Sequence, residues 1–144
     1  GMLALLDGSG IRSGILRFEI TETDQLQMTA TEMRLIDELH QRGFLVWLDD
    51  VGTGYNSFDL LKRIRVDGIK IDGSFVRAMT GSITDHAIVK AIVDMAKAMG
   101  KQVVAEGVET MAELLALQEL GCPYGQGFHF GRPAVAADIR FAAD

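Results

Sequence analysis

The sequence predicts an α/β fold in which about five parallel strands alternate with flanking helices. Two observations carry this prediction. Short runs rich in β-branched and aromatic residues alternate along the chain with longer segments whose apolar residues recur at helical spacing. Capping residues precede most of the helical segments, and glycines follow several of them. Because repeated strand–helix units form parallel sheets with helices on their faces, we expect one α/β domain over residues 1–144.

The composition is that of an ordinary globular domain. Of the 144 residues, 48% are hydrophobic and 24% are charged, and the net charge is −6. The negative charge argues against binding of a nucleic-acid polymer. No apolar run approaches the roughly 18 residues of a membrane span, and the single cysteine, Cys122, excludes an internal disulfide. We therefore predict a cytoplasmic protein without membrane insertion in this segment, with Cys122 as a packing residue.

Five segments have the composition and length of strands. Apolar residues 2–6 resemble the last turn of a helix that comes before them. The predicted strands are residues 15–20, 44–49, 68–72, 102–105 and 124–130. Each ends in polar or glycine-containing sequence, as expected where a strand leaves a sheet.

Helices are predicted between and after these strands. Thr29 or Thr31 caps the first of them, and Thr110 with Glu113 forms a capping-box pattern for a later one. The predicted helices are residues 31–42, 57–64, 74–79, 84–99 with Thr84 as cap, 110–120, and an alanine-rich helix from Pro133 to about Phe141. Glycines 43, 100 and 121 end three of them.

Polar side chains are concentrated where the predicted strands end. In parallel α/β folds the carboxyl ends of the strands meet at one edge, and sites are built there. The residues at or just after these ends are Glu19, Asp49, Asp50, Lys70, Asp72, Glu106 and Gln126. Acids placed without a functional reason would favour solvent-facing helix positions. The placement therefore predicts a common site to which each strand contributes one or two groups.

The segment FLVWLDDVGTGYNS, residues 44–57, is the strongest local signal. A strand-forming run ends in two adjacent acids, Asp49 and Asp50, and then in a loop with Gly52 and Gly54. Neighbouring carboxylates repel each other, so a cation is their natural partner, and the glycines allow the backbone to lie close to a ligand. The alternative is that the two acids end the strand and cap the next helix.

The other polar residues also have structural interpretations. Glu19 could be a solvated acid at a strand end, and Lys70 could extend from its strand into water. Glu106 and Glu109 could charge the first turn of the next helix, and Gln126, which lies beside glycine, could mark a bulge. The three histidines have no zinc-site spacing.

Five motifs together resemble the EAL domain, a family of bacterial signalling phosphodiesterases that hydrolyse cyclic di-GMP. The motifs are EITE at residues 19–22, DDVGTGY at 49–55, KID at 70–72, AEGVE at 105–109 and QGFHFGRP at 126–133. Their order and spacing fit the family, and the resemblance covers nearly the whole chain. It implies a TIM-type (β/α) barrel, Mg²⁺ or Mn²⁺ in a two-metal site, and cyclic di-GMP as ligand.

The resemblance also implies roles for individual residues. Glu19, Asp49 and Glu106 are similar to metal ligands of the family, and Asp50 to a ligand of the second metal. Lys70 resembles the lysine that holds the attacking water, so Lys70, Glu106 and Asp49 are the implied catalytic residues. Three residues are implied to line the substrate site: Asp72, Glu109 and Gln126. Glu22 resembles the glutamate that anchors the DDVGTGY loop, which couples the metal site to dimerisation.

The chain departs from the family in one large respect. The E-A-L motif, its metal-ligand glutamate, a substrate-contacting arginine and an asparagine ligand belong to strands that are absent from this sequence. A complete barrel takes about 250 residues. We therefore expect the second half of an EAL domain, an incomplete barrel that is not competent alone and that associates as a homodimer or with the missing half-barrel. The alternative is a non-catalytic module that binds cyclic di-GMP or a protein partner.

A third interpretation needs no resemblance to this family. Lys70 could serve as a Schiff-base nucleophile in an unrelated barrel enzyme. The four or five acids expected around Lys70 argue against it, because they would keep the amine protonated. Smaller departures from the family pattern are Val51, Asn56 and Phe58, which replace the usual phenylalanine, serine and leucine, and none of them removes a ligand.

Overall fold

The fold is a five-stranded, fully parallel sheet with helices between its strands. The computed structural model describes residues 2–21, 28–52 and 57–139. In chain order the elements are α1 (Met2–Ser9), β1 (Arg17–Ile20), α2 (Ala30–Gln41), β2 (Leu45–Val51), α3 (Ser57–Arg63), β3 (Gly68–Ile71), α4 (Gly73–Ala78), α5 (Ile83–Ala98), β4 (Gln102–Ala105), α6 (Met111–Glu119) and β5 (Tyr124–Gly125). Two short 3₁₀ turns, Ser13–Ile15 and Ala136–Asp138, complete the description.

The strands lie side by side in the order in which they occur in the chain. The order is β1-β2-β3-β4-β5, and every neighbouring pair is parallel. This confirms the prediction of an α/β fold with five parallel strands and flanking helices. Sequential parallel order is the arrangement found in (β/α) barrels. It brings the carboxyl ends of all five strands to one edge of the sheet.

One face of the sheet carries the hydrophobic core. Alternate strand residues such as Leu48, Ile69 and Val103 are buried and pack with apolar residues of the helices in one cluster. Val89 and Val93 of α5 belong to the same cluster and are fully buried. Burial of these side chains is the main favourable term for folding, at about 25 cal/mol per Å² of apolar area. Because strand side chains alternate, the remaining strand positions point to the opposite face.

That opposite face carries Trp47 and the polar residues of the site. Register pairs Glu19 with Trp47, and Trp47 with Gly68. Trp47 lies flat across β3 at Gly68, because a Cβ atom there would come within 2.7 Å of the indole ring. The guanidinium carbon of Arg17 lies over the ring, 5.0 Å from its centroid. Trp47 is therefore only 2% exposed although it lies outside the main cluster.

The helix caps follow the predictions with one correction. Thr29 caps α2 in a capping box with Glu32, and Thr110 with Glu113 does the same for α6. The prediction that Thr84 caps α5 is wrong, since the helix begins at Ile83 and its N-cap is Ser82. The Ser82 hydroxyl accepts a hydrogen bond from the amide of Asp85. Ser82 and Thr84 both have a side-chain hydroxyl that can cap a helix, and the helix begins directly after the earlier of the two.

Two predicted elements at the carboxyl end are shorter than expected. The strand predicted over residues 124–130 covers only Tyr124–Gly125, and a turn follows in which the Phe130 amide bonds to the Gly127 carbonyl. The chain bends because Gly127 lies directly against the backbone of Val108. The helix predicted from Pro133 to Phe141 is absent as far as residue 139, apart from the turn Ala136–Asp138. Helix propensity without a packed face does not stabilise so short a segment.

The amino-terminal elements also differ in extent from the predictions. The apolar residues 2–6 belong to the eight-residue helix α1, and residues 13–15 form a 3₁₀ turn before β1 begins at Arg17. In the part of the chain that the structure describes, no helix is long and apolar enough to cross a membrane. Three predictions, on Glu22, on the loop at residues 53–56 and on the chain beyond residue 139, lie outside the described residues.

Candidate metal centre

Lys70 lies at the centre of a cluster of acidic side chains that come from β1, from β2 and from the residue after β4. Its ammonium nitrogen Nζ is 2.9 Å from a carboxylate oxygen of Glu19, 3.1 Å from one of Asp49 and 2.8 Å from one of Glu106. The Lys70 side chain is only 10% exposed, and Glu19 is the most exposed of its partners at 46%. Side chains distant in sequence meet here because β1, β2, β3 and the residue after β4 reach the same sheet edge.

A bulge in β2 lets two adjacent acids face the same cluster. Neighbouring residues of a regular strand point to opposite faces. In β2 the register shifts between Leu48 and Val51, and Asp50 adopts a left-handed backbone with φ of 54°. Such a conformation is uncommon outside glycine, and aspartate is among the residues that tolerate it best. Bulges of this kind redirect side chains beside functional sites.

Three carboxylates lie close enough together to share a metal ion. Each of Asp49, Asp50 and Glu106 offers one oxygen, and these oxygens all lie within 4.8 Å of one another. All three residues are partly buried. Hard oxygen ligands of this type suit Mg²⁺ and Mn²⁺, which prefer carboxylates and water to nitrogen or sulfur. The donor set therefore fits the divalent ions that the motifs imply.

The charges of the cluster are unbalanced. Burial alone would lower the pKa of Lys70, but hydrogen bonds to Glu106, Glu19 and Asp49 outweigh it and raise the pKa above its usual value. Burial and the nearby charges of Asp49 and Glu19 raise the pKa of Glu106, although Lys70 opposes this shift. One ammonium thus faces several carboxylates, and a divalent cation would relieve their repulsion.

Glu19 belongs to the cluster through Lys70. Its carboxylate accepts a hydrogen bond from the Lys70 amine, with an N···O distance of 2.9 Å. Among the described residues, the group of mutually close carboxylate oxygens does not include Glu19. The structure therefore brings Glu19 to the site but outside the three-carboxylate group.

Asp72 has a structural task at the start of α4. Its side chain accepts hydrogen bonds from the backbone amide and the hydroxyl of Ser74 and caps the helix. Burial alone would raise the pKa of Asp72, but the hydrogen bonds from Ser74 and the charge of Arg77 outweigh it and lower the pKa. Asp72 lies one residue beyond β3, two positions after Lys70, and the cap fixes the exit of that strand.

The other predicted substrate residues lie at the ends of β4 and β5. Glu109 and Gln126 are both exposed. The Gln126 backbone bridges the two strand ends, since its amide donates to Ala105 and its carbonyl accepts from Val108. The Glu109 amide donates to the buried carboxylate of Glu113, with an N···O distance of 2.7 Å. Both side chains are therefore held beside the sheet edge by their backbones. The proposed loop anchor, Glu22, lies outside the described residues.

The close contact of two glycines at the strand ends was not predicted from the sequence. Gly73 and Gly107 are in backbone contact, and Arg77 lies over that contact. The signal was present, because Gly73 follows the KID motif and Gly107 follows Glu106. A glycine directly after a polar strand-end residue indicates a close backbone approach.

With this geometry established, comparison with known proteins identifies the family. The sequence profile of the EAL domain matches residues 2–133. The chain belongs to the EAL domain family. The resemblance predicted an incomplete TIM-type barrel. The similar solved structures are EAL domains, which have this type of fold, and this confirms the predicted fold class.

The similar proteins of this family are larger than the chain. A probable cyclic di-GMP phosphodiesterase, PdeA of Escherichia coli K12, is 44% identical over 120 residues, which are 83% of this chain and 16% of PdeA. PdeB of Shewanella oneidensis, a cyclic di-GMP phosphodiesterase, is 42% identical over 123 residues, 85% of this chain and 14% of PdeB. The chain thus spans about one sixth of these relatives.

Solved EAL structures share the fold of the chain. The PaMucR phosphodiesterase in complex with c-di-GMP superimposes with a TM-score of 0.83 at 37% identity, over 94% of this chain and 55% of that one. Klebsiella pneumoniae BlrP1, in a complex with manganese and cyclic di-GMP, superimposes with a TM-score of 0.84 at 36% identity, over 92% of this chain and 34% of that one.

Proposed function

We propose that the chain supplies the metal-binding part of a phosphodiesterase that hydrolyses cyclic di-GMP to the linear dinucleotide. The observation that carries this proposal is the group formed by Asp49, Asp50 and Glu106 around the charged Lys70. The relatives named as cyclic di-GMP phosphodiesterases support the substrate. The cofactor is Mg²⁺ or Mn²⁺, and the BlrP1 complex with manganese and cyclic di-GMP supports this choice.

The acidic residues hold the ions in this proposal. Asp49 and Glu106, with Glu19 beside them, would hold the first ion, and Asp50 would hold the second. The ions would supply activation of the attacking water and stabilisation of the charge that develops on the phosphate and on the leaving oxygen. Because the three carboxylates are partly buried, their charges interact more strongly than they would in bulk water.

Lys70 orients the attacking water and offsets phosphate charge. It does not act as a general base, because its carboxylate partners keep the amine protonated. The water oxygen attacks phosphorus, one P–O ester bond of the ring breaks, and the released hydroxyl leaves a linear dinucleotide with a terminal phosphate. Asp49 and Glu106 complete the catalytic set. The exposed Glu109 and Gln126, together with Asp72, face the bound nucleotide, and Glu22 anchors the loop that follows β2.

A partner completes the barrel in this proposal. In the part of the chain that the structure describes, no further strand pairs with the outer edge of β1 or β5, and large apolar side chains are exposed at the β5 end, including Tyr124, Phe128 and Phe130. Unpaired edges and exposed apolar surface favour association. The partner is either a second copy of the chain or the missing half-barrel, and coverage of only 55% of the PaMucR chain leaves room for the latter. Sedimentation velocity should show self-association, and a monomer at all concentrations would leave the half-barrel as the partner.

A non-catalytic role is the second candidate function. The chain matches only 55% of the PaMucR structure. A module that covers part of an EAL domain could bind cyclic di-GMP or a protein through the same residues without hydrolysing the nucleotide. The presence of the group Asp49, Asp50 and Glu106 together with Lys70 favours the enzyme. A binding module requires neither the closely placed carboxylates nor the charged amine between them.

Hydrolysis measured by product chromatography separates the two candidates. The chain is incubated at high concentration with cyclic di-GMP and Mg²⁺ or Mn²⁺, and Asp49→Asn serves as the inactive control. Linear dinucleotide that forms with the wild type but not with Asp49→Asn supports the enzyme. Nucleotide binding without product would mean that hydrolysis requires the missing strands or that the chain is a binding module, and neither binding nor product would contradict both candidates for the chain alone.

A further inference from the structure

Glu106 is held by a backbone contact that depends on two glycines. Directly after Glu106 the chain turns at Gly107, whose φ is +64°. There it meets the first residue of α4: a Cβ atom added to Gly107 would lie 3.1 Å from the Cα atom of Gly73, and one added to Gly73 would lie 3.3 Å from the Glu106 carbonyl oxygen. A Cβ atom at either position would require the neighbouring backbone to move by a few tenths of an ångström.

The two sides of this loop are held differently. On the β5 side, the Val108 amide donates to Gln126 and the Val108 carbonyl accepts from His129. On the α4 side, the described residues provide no main-chain hydrogen bond between the loop and the helix; Glu106 itself bonds back to Ile71 at the end of β3. Contact with Gly73 must therefore be maintained by packing.

Arg77 supplies that packing. It lies one turn after Gly73, and helical side chains lean toward the amino terminus of their helix. Its guanidinium nitrogen Nη1 lies 2.9 Å from where a Cβ atom of either glycine would be. Within the described chain, the side chain of Arg77 makes no hydrogen bond and no ion pair within 4 Å, and it is exposed. Its charge acts on Asp72, the cap of the same helix. Arg77 is therefore exposed and lies over the two glycines, and no other structural role for its side chain is evident.

We propose that Arg77 is a positioning residue for Glu106. The guanidinium covers the contact between Gly73 and Gly107, keeps the loop against α4, and so directs the Glu106 carboxylate toward Asp49 and Asp50. Arg77 acts through the backbone of its neighbours and touches neither metal nor substrate. The role deepens the proposed function, because the group that it positions is the proposed metal centre.

The sign of the change in metal affinity separates positioning from simple electrostatics. Arg77 carries a positive charge near the site, so electrostatics alone predicts that Arg77→Ala binds Mn²⁺ more tightly. Positioning predicts weaker binding, by roughly tenfold, as is usual when a group that supports a ligand is removed. Arg77→Met keeps the length of the stem without the charge and should fall between Arg77→Ala and the wild type. Arg34→Ala, an exposed arginine on α2, is the matched charge control and should bind as the wild type does.

A second readout tests the proposal without metal. Amide hydrogen exchange by NMR on the metal-free chain should show faster exchange at Glu106 in Arg77→Ala than in Arg34→Ala, with Leu48 in β2 unchanged. If Glu106 exchanges at the same rate in both variants, or if Arg77→Ala binds Mn²⁺ more tightly, the positioning role is refuted. If exchange at Glu106 accelerates but the wild type binds no Mn²⁺, Arg77 still positions Glu106 and it is the proposed metal function that fails.

Discussion

At the scale of single residues, the site depends on one charged lysine among several acids. The convergence of Lys70, Glu19 and Glu106 could be predicted from the sequence, because the ends of parallel strands share one edge. The sequence also predicted that Asp49 and Asp50 share the site, but it did not predict the backbone geometry that this requires, since adjacent strand residues normally alternate. Only the bulge and the left-handed backbone of Asp50 bring both carboxylates together. No sequence pattern in the strand announces that bulge.

Lys70 should compete with the metal for its own ligands. The ammonium lies within 3.1 Å of three carboxylates. It partly neutralises their negative charge, which reduces their attraction for a divalent ion. We predict that Lys70→Met binds Mn²⁺ several-fold more tightly, because the carboxylates lose their internal counter-ion, while hydrolysis is lost. Isothermal titration gives the affinity, and Lys62→Met, on the exposed surface of α3, is the control. Weaker binding by Lys70→Met would show that the amine supports the ions and does not compete with them.

At the scale of elements, close backbone contacts determine where strands end and how they pair. The short β5 shows the effect: the sequence FHF favours a strand, but contact of Gly127 with Val108 turns the chain first. Contacts between distant segments cannot be read from local propensity. The capping box of α6, by contrast, was predicted correctly, and Thr29 was one of the two caps predicted for α2, because the determinants of a cap lie within four residues.

Gly68 and Trp47 should behave as a coupled pair. A Cβ atom at Gly68 would strike the indole, which is 2% exposed and has little room to move. We predict that Gly68→Ala lowers the free energy of unfolding by about 1–3 kcal/mol, the usual cost of overpacking. Urea denaturation measures the change, and Gly14→Ala, where a Cβ meets open space, is the control.

The double variant tests the cause of that loss. When Trp47→Leu removes the ring, the added penalty of Gly68→Ala should shrink, because residues in contact are not additive. An equal penalty with and without the indole would mean that the loss arises in the backbone of β3 and not in this contact.

Glu113 should stabilise the start of α6 and the loop before it. Its buried carboxylate accepts hydrogen bonds from the amides of Glu109 and Thr110, at 2.7 and 3.0 Å. We predict that Glu113→Ala lowers the free energy of unfolding by about 1–3 kcal/mol, because two amides lose their acceptor. Thermal or urea denaturation is the measurement. Glu119→Ala, an exposed acid on the same helix, should change stability little, and equal losses in the two variants would contradict the assignment.

At the scale of the whole molecule, the sheet presents its site at one edge and its free strands at both sides. The sheet brings the carboxylates of two strands, β1 and β2, and the carboxylate of the residue after β4 to Lys70 without any contribution from another chain. The parallel order and the site edge could be predicted from the alternation of strands and helices. The partner of the edge strands β1 and β5 could not be predicted, since the sequence of an edge strand does not indicate what pairs with it.

The central claim is that Asp49, Asp50 and Glu106 bind a divalent cation, and titration of the chain with Mn²⁺ followed by electron paramagnetic resonance tests it most directly. Bound Mn²⁺ loses its free-ion signal, so the titration needs neither substrate nor a completed barrel. We predict saturable binding that Mg²⁺ competes away. Asp49→Asn should weaken it at least roughly tenfold, whereas Asp37→Asn, which removes an exposed acid of α2, should not. Unsaturable binding, or equal affinity in the wild type and Asp49→Asn, would contradict the account.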